Sequence, residues 1–360
     1  MSKLFQSDIG GSPRVDVKWA LNKDLTIVMT DSSHRITVES HGRLHLGFVD
    51  LNGNLGRRFG SLGLGLNGLS TRVTAEGSSS FYVDGDDSVR AKDYAIRVLH
   101  GLKLPRHLRL SVRSSIPIHA GLGSGTQLAL AVASAITELF GLDCDIQQRA
   151  VLTGRGRRSG VGIGVFETGG FLFDGGHAPG TVVPPVIARF QFPQQWQVIL
   201  VWDEAQRGLS GAAEVTAFEV IQAMDEALAA TLCRRTLLGV FPALVEHDFD
   251  SFSDHISAIQ RAMGAHFGLS QGGQFTSKAV ADAMRWIQQT HGIVGVGQTS
   301  WGPTGFAFVN GEAKAGQLLE ALTHRYQDVA SLRYSAHRVD NNGATILRED
   351  ISGSASLAGA

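Results

Sequence analysis

The chain has 360 residues, with 32 Lys and Arg against 33 Asp and Glu and a hydrophobic fraction of 43%. That length suits two domains of ordinary size, and the balanced charge argues against nucleic acid or an anionic membrane as a partner. Two cysteines, Cys144 and Cys233, cannot make a disulfide framework, and the longest apolar run is too short to span a bilayer. With no apolar signal core at the N-terminus, a cytoplasmic protein is expected.

Residues 1–33 are weakly patterned, with one candidate strand at 25–29, and are read as an extension. Alternation at Ile36 and Val38 and through Arg43-Leu-His-Leu-Gly-Phe-Val-Asp50 predicts strands. Arg43 and His45, two apart, share a face: either a solvated strand face or a strand end lining a site. A turn-rich loop at 52–60 carries Arg57 and Arg58, and strands are expected at 61–66 and 71–75. A helix at 93–102 and a strand at 108–113 lead to Ile116-Pro-Ile-His-Ala-Gly-Leu-Gly-Ser-Gly-Thr-Gln127.

This is the most informative stretch. Gly121, Gly123 and Gly125 let backbone N–H groups crowd around one ligand. Leu128, Val132, Ala135, Ile136 and Leu139 then recur at helical spacing from Thr126 until Gly141. A helix that starts at such a loop points N–H groups and a partial positive charge at it, so the favoured ligand is an anion such as phosphate. The spacing is neither a dinucleotide fingerprint nor a Walker loop.

Next come a short helix at 146–152 and a second glycine-rich segment, 153–177, read as a loop. Arg155, Arg157 and Arg158 in it are either solvated charges or a fork for phosphate or carboxylate. Glu167 and Asp174 flank a Gly-Gly turn, as turn-stabilising carboxylates, as magnesium ligands or as charges facing a cationic transition state. The proline-bearing 178–193 is the candidate linker, and a buried strand at 196–202 opens a second domain. Helical patterns follow at 211–239, 248–267 and 276–290. A third glycine loop, 295–305, carries Gln298, Ser300 and Trp301. A strand at 306–309, a helix at 312–324 and a strand at 331–339 close the domain. The domains are therefore drawn at 34–193 and 194–347, with a frayed tail at 348–360. The scattered histidines show no metal-binding spacing.

Five stretches carry a resemblance: Arg43–Gly53, Gly121–Gln127, Arg157–Gly170, Arg207–Gly211 and Gly295–Thr304. Together they resemble the GHMP kinase superfamily and, within it, the β-ribofuranosylaminobenzene 5′-phosphate synthase family. The resemblance implies an α+β fold: an N-terminal GHMP domain with a left-handed βαβ unit and a C-terminal ferredoxin-like domain, the site between them. It also implies condensation of 5-phosphoribosyl 1-pyrophosphate with 4-aminobenzoate, releasing pyrophosphate and carbon dioxide, in tetrahydromethanopterin biosynthesis. Phosphate binding would fall to Gly121, Gly123, Ser124, Gly125, Thr126, Arg157 and Arg158. Glu167, Asp174, Arg43 and His45 would be catalytic, the first two also ligating Mg2+, and Asp50, Gln298, Ser300 and Trp301 would bind substrate. A homodimer is the expected assembly. The kinases' aspartate base is missing, since the comparable turn ends in Gly164, which weakens a kinase reading without removing it. A non-catalytic ligand sensor on the same fold is the third reading.

Overall fold

The computed structural model describes residues 34–206, 223–271, 273–300 and 302–351. The predicted extension 1–33, its candidate strand, the motif Arg207–Gly211 and Trp301 lie outside them. Two sheets organise the described chain. The first is built on two long antiparallel strands, β1 (His34–Asp50) and β2 (Gly60–Gly77). The second half of β2 pairs with β4 (Leu108–Ser114), which runs parallel to β3 (Tyr82–Gly85) across helix α1 (Ser88–Gly101). The first half of β2 pairs instead with β5 (Phe171–Asp174), and β5 with β6 (Val186–Phe190).

The second sheet contains β7 (Trp196–Asp203), β8 (Val296–Gln298), β9 (Gly305–Asn310) and β10 (Leu332–His337) in the order β10-β7-β9-β8, all antiparallel. That order is the split βαβ arrangement of ferredoxin-like domains. The expected α+β fold, with a ferredoxin-like C-terminal part, is thus observed.

Helices fill the spaces around these sheets. α2 (Ser124–Leu139), α3 (Ile146–Thr153) and α4 (Val161–Thr168) join α1 on the outer face of the first sheet. Between the sheets lie α5 (Glu226–Arg235), a π-turn at Thr236–Val240, α6 (Phe241–Glu246) and α7 (Phe249–Gln271). One core joins Leu44, Leu46, Leu62 and Leu64 of the first sheet to Trp196, Phe252 and Phe308. α8 (Lys278–His291) and α9 (Glu312–Arg325) cover the far face of the second sheet. The stretch Glu226–Glu246 is long and apolar enough to cross a bilayer by length and composition. Its Ala229, Leu232, Val240, Ala243 and Leu244 instead belong to this central core.

Three expectations need correction. The segment 153–177 is not one loop: its middle is α4, despite glycines at 162 and 164 that disfavour helix. Packing explains it. A Cβ on Gly164 would lie 2.8 Å from Val186 and 2.9 Å from Leu172, and one on Gly162 would lie 3.1 Å from Thr126. The proposed linker 178–193 contains β6, which completes the first sheet. The proposed frayed tail begins inside β11 (Thr345–Asp350), whose backbone pairs with His34–Glu39 of β1 and returns the chain to the first sheet.

Candidate functional site

The glycine loop and α2 form the floor of a cleft. Gly121 and Gly123 adopt φ of +76° and +83°, a region that only glycine enters readily, and Gly123 is the residue from which α2 starts. Among the described residues no side chain caps that helix end, so its first N–H groups and the positive end of its dipole can meet an anion. α2 begins two residues before the periodicity indicates and ends at Leu139, two residues before Gly141, which stands at φ +63°.

The third glycine loop closes onto this floor. The Thr299 hydroxyl donates to the Gly121 carbonyl (2.9 Å) and the Thr304 hydroxyl to that of Ala120 (2.7 Å). A Cβ on Gly121 would sit 2.6 Å from the Gly302 Cα, so the two backbones touch. β1 supplies a further wall. Leu44 and Leu46 point into the central core, while Arg43 and His45 line the cleft. An Arg43 guanidinium nitrogen donates to the Gly121 carbonyl, and the arginine stem lies against Gly123.

The space enclosed is about 480 Å³, within the rough 300–1,000 Å³ range of small-molecule sites. Its lining is cationic: Arg43, Arg90, Arg155, Arg157 and Arg158 all reach it, and no Asp or Glu does among the described residues. Arg155 lies over the Tyr94 ring, 5.1 Å from its centroid, hydrogen-bonds the Tyr94 hydroxyl and packs against Gly125. Arg90 is held by Asp87 and comes within 3.5 Å of the Ser124 hydroxyl. The predicted phosphate set, Gly121, Gly123, Ser124, Gly125, Thr126, Arg157 and Arg158, is thus gathered in one place with the helix end.

His45 is nearly fully buried. Its Nδ1 accepts from the N–H of Gly47 (3.2 Å) and lies 2.8 Å from the Ser300 hydroxyl. A backbone N–H can only donate, so Nδ1 carries no proton and the ring proton sits on Nε2. Burial, then the neighbouring Arg43 charge, push the pKa well below the usual histidine value. The ring is neutral at physiological pH.

Other predicted residues fall elsewhere. Asp174 is wholly buried and accepts from Ser61 (2.5 Å), Ser159 (2.8 Å), and the N–H groups of Gly160 and Gly176 (2.9 Å each). Burial raises its pKa and these donors oppose the shift. Its oxygens are committed to fixing the Ser159–Gly160 turn, which carries the arginines into α4, so it does not fit a magnesium ligand. Glu167 is exposed at the far end of α4, roughly 7 Å along the axis from Gly162 at the cleft. Burial and then Asp145 raise its pKa. It neither lines the cleft nor approaches Asp174 as a partner ligand, and among the described residues no cluster of three His, Cys, Asp or Glu could hold a metal ion. Asp50 accepts from the N–H groups of Asn52 (2.7 Å) and Gly53 (3.2 Å), so it shapes a turn outside the cleft. Ser300 lines the cleft, whereas Gln298 lines a smaller pocket beside it.

The sequence reading gave no role to Arg90, Tyr94 and His119, which line the cleft together with Arg155, the first arginine of the possible fork. Arg90 and Tyr94 stand four apart on α1, a spacing that marks one helix face. Only the packing of α1 against α2 turns that face toward the glycine loop.

Comparison with known proteins agrees with this layout. The family model for the GHMP kinases N terminal domain matches residues 90–170, and that for the GHMP kinases C terminal matches 240–328. Beta-ribofuranosylphenol 5′-phosphate synthase of Methanothermobacter thermautotrophicus is 31% identical over 309 residues, covering 80% of this chain and 92% of that one. The protein of the same name from Methanocaldococcus jannaschii is 32% identical over 301 residues, covering 75% and 88%. Among solved structures, a homoserine kinase from Cytophaga hutchinsonii superposes with a TM-score of 0.62 at 13% identity, covering 89% of this chain and 99% of that one. At that identity the likeness concerns the fold.

Proposed function

We propose that this chain, which belongs to the beta-ribofuranosylphenol 5′-phosphate synthase family of GHMP enzymes, joins 5-phosphoribosyl 1-pyrophosphate to a para-substituted benzoate. The acceptor we favour is 4-aminobenzoate, with loss of pyrophosphate and carbon dioxide, as a step of tetrahydromethanopterin biosynthesis. Two free cysteines fit a cytoplasmic setting for this chemistry.

The observation that carries the proposal is the cleft's charge: five arginines and a helix N-terminus, with no carboxylate among the described lining residues. A phosphoryl-transfer enzyme needs a group to receive the acceptor's proton and commonly a carboxylate for its metal. A pyrophosphate leaving group needs the opposite, donors that meet negative charge as it develops. Arg155, Arg157, Arg158 and the Ser124 end of α2 suit that role. As the C1–O bond of the ribose breaks, the ring carbon bearing the carboxylate bonds to C1. Loss of carbon dioxide then returns the electron pair to the ring, so no strong base is required. Neutral His45 offers Nε2–H as a hydrogen-bond donor, with its tautomer fixed by Gly47 and Ser300. Magnesium, when it accompanies pyrophosphate, supplies charge neutralisation. The cleft would meet such a complex with N–H and guanidinium donors rather than with Glu167 or Asp174.

The product tests this reading. After incubation with 5-phosphoribosyl 1-pyrophosphate, magnesium and 4-aminobenzoate, NMR should show a C1–aryl carbon bond and no carboxyl group. An O- or N-linked riboside, or a phosphorylated acceptor formed only with ATP, would refute it. Running 4-hydroxybenzoate in parallel decides between amine and hydroxyl acceptors.

A further inference from the structure

Gln127 closes the glycine motif in sequence, yet it stands behind the cleft, wholly buried in the first turn of α2. Its side-chain nitrogen donates to the Gly162 carbonyl of α4 (2.8 Å). Among the described residues its side-chain oxygen has no hydrogen-bond partner. We infer that Gln127 is a positioning residue: it ties the start of α4 to the start of α2, so that the Arg157–Arg158 turn and the α2 end close on one pyrophosphate group. The inference rests on the cleft being the pyrophosphate site proposed above.

An amide with one side unsatisfied is a poor core residue. Burying it is less favourable than burying an apolar side chain of similar size, so its contribution lies in where its one donor points. That donor crosses between two helices that meet at their first turns. Thr126, next to Gln127, packs on the same glycine: a Cβ on Gly162 would lie 3.1 Å from Thr126 Cγ2. Gly162 itself lines the cleft, as do Arg157, Arg158 and Ser159 just before it. The tie therefore sits close behind the arginine-bearing turn.

Electrostatics gives the tie a purpose. Five arginines around one cleft repel one another unless an anion lies between them. Three are steadied by their own side chains: Arg43 donates to the Gly121 carbonyl, Arg90 to Asp87 and Arg155 to the Tyr94 hydroxyl. The backbone that carries Arg157 and Arg158 is anchored twice. Asp174 of β5 accepts from Ser159 and from the Gly160 N–H, and Gln127 holds Gly162. Only the second anchor fixes the arginines relative to the glycine loop. A single phosphate needs no more than the α2 end with Arg90 and Arg155. Pyrophosphate carries a second phosphoryl group, which Arg157 and Arg158 meet only while α4 is held against α2. Loosening the tie should therefore weaken pyrophosphate more than orthophosphate.

Two variants test this by different routes. Gln127→Met keeps an unbranched side chain and removes the donor. Gly162→Ala favours helix but presses a Cβ on Thr126 and spreads the two helix starts. Each should raise the pyrophosphate dissociation constant, measured by calorimetric titration, and KM for 5-phosphoribosyl 1-pyrophosphate by about tenfold or more. The orthophosphate dissociation constant and KM for 4-aminobenzoate should stay within about twofold. A residue that merely fills the core would lower thermal stability without moving the ratio of the two anion affinities. If folded Gln127→Met keeps the wild-type ratio, or loses both anions alike, the positioning role is wrong, and the proposed reaction stands as long as the wild type forms product. If the wild type binds pyrophosphate but forms no product, the reaction alone falls. If it does not bind pyrophosphate, the reading of the cleft falls and the positioning role with it. Should Gln127→Met fail to fold, Gly162→Ala decides alone by the same ratio.

Discussion

His45 shows how burial sets chemistry at a single residue. Its folded pKa is depressed, so it stabilises the fold above its unfolded value near 6.5 and loses that contribution as pH falls toward the folded value. Below 6.5 the unfolded chain takes up a proton that the folded ring refuses, at about 1.4 kcal/mol per pH unit at most. His45→Gln should therefore lose less stability than the wild type between pH 7 and pH 5, by up to that slope, in urea denaturation at the two pH values. Parallel slopes would mean that His45 titrates normally in the folded protein. The arginines make a different prediction. Truncating Arg157 or Arg158 removes a charge-assisted hydrogen bond worth about 1.5–3 kcal/mol, or roughly 10- to 150-fold in the apparent affinity for 5-phosphoribosyl 1-pyrophosphate. Lysine should restore only part of it, because an ammonium lacks the planar fork. Unchanged substrate affinity in both alanine variants would make these side chains solvated decoration.

At the scale of elements, the site depends on two glycine loops pressed together. Gly121 and Gly141 have similar positive φ, but a Cβ on Gly121 meets the Gly302 backbone, while one on Gly141 meets nothing within 4 Å. Gly141→Ala should cost about 1–2 kcal/mol of stability, the left-handed strain alone, and leave activity unchanged. Gly121→Ala adds overpacking of about 1–3 kcal/mol and should separate the loops, cutting activity at least tenfold. Thermal denaturation and steady-state rates on the two variants separate strain from docking; equal effects on rate would show that loop contact does not matter. The same comparison shows what sequence can reveal. The 121–125 spacing marks a loop that must accept positive φ, and the helix after it is visible in its apolar period. The helix α4 is hidden because its glycines serve packing against Thr126, Leu172 and Val186, a demand that overrides local propensity. The part played by Asp174 is illegible for a related reason. A carboxylate beside a glycine turn looks the same in sequence whether its oxygens face a ligand or four internal donors.

For the whole molecule, the layering places the site. Helices, sheet, helices, sheet and helices share cores that cross the sequence order, with β11 closing the first sheet after the second is complete. The second glycine-rich segment, the Gly121–Gly125 loop and the third loop come together only because the two sheets pack through one central core. Their order in the chain was legible. Arg90 and Tyr94 were not, since nothing local says which face of α1 meets α2.

The central claim is a decarboxylating condensation in a cleft built for pyrophosphate. It is tested most directly by counting carbon dioxide. With carboxyl-labelled 4-aminobenzoate or 4-hydroxybenzoate, 5-phosphoribosyl 1-pyrophosphate and magnesium, the account predicts one labelled carbon dioxide and one pyrophosphate per phosphoribosyl group consumed, at a rate indifferent to ATP. Consumption of ATP in step with turnover, with the label retained in the acceptor, would contradict it.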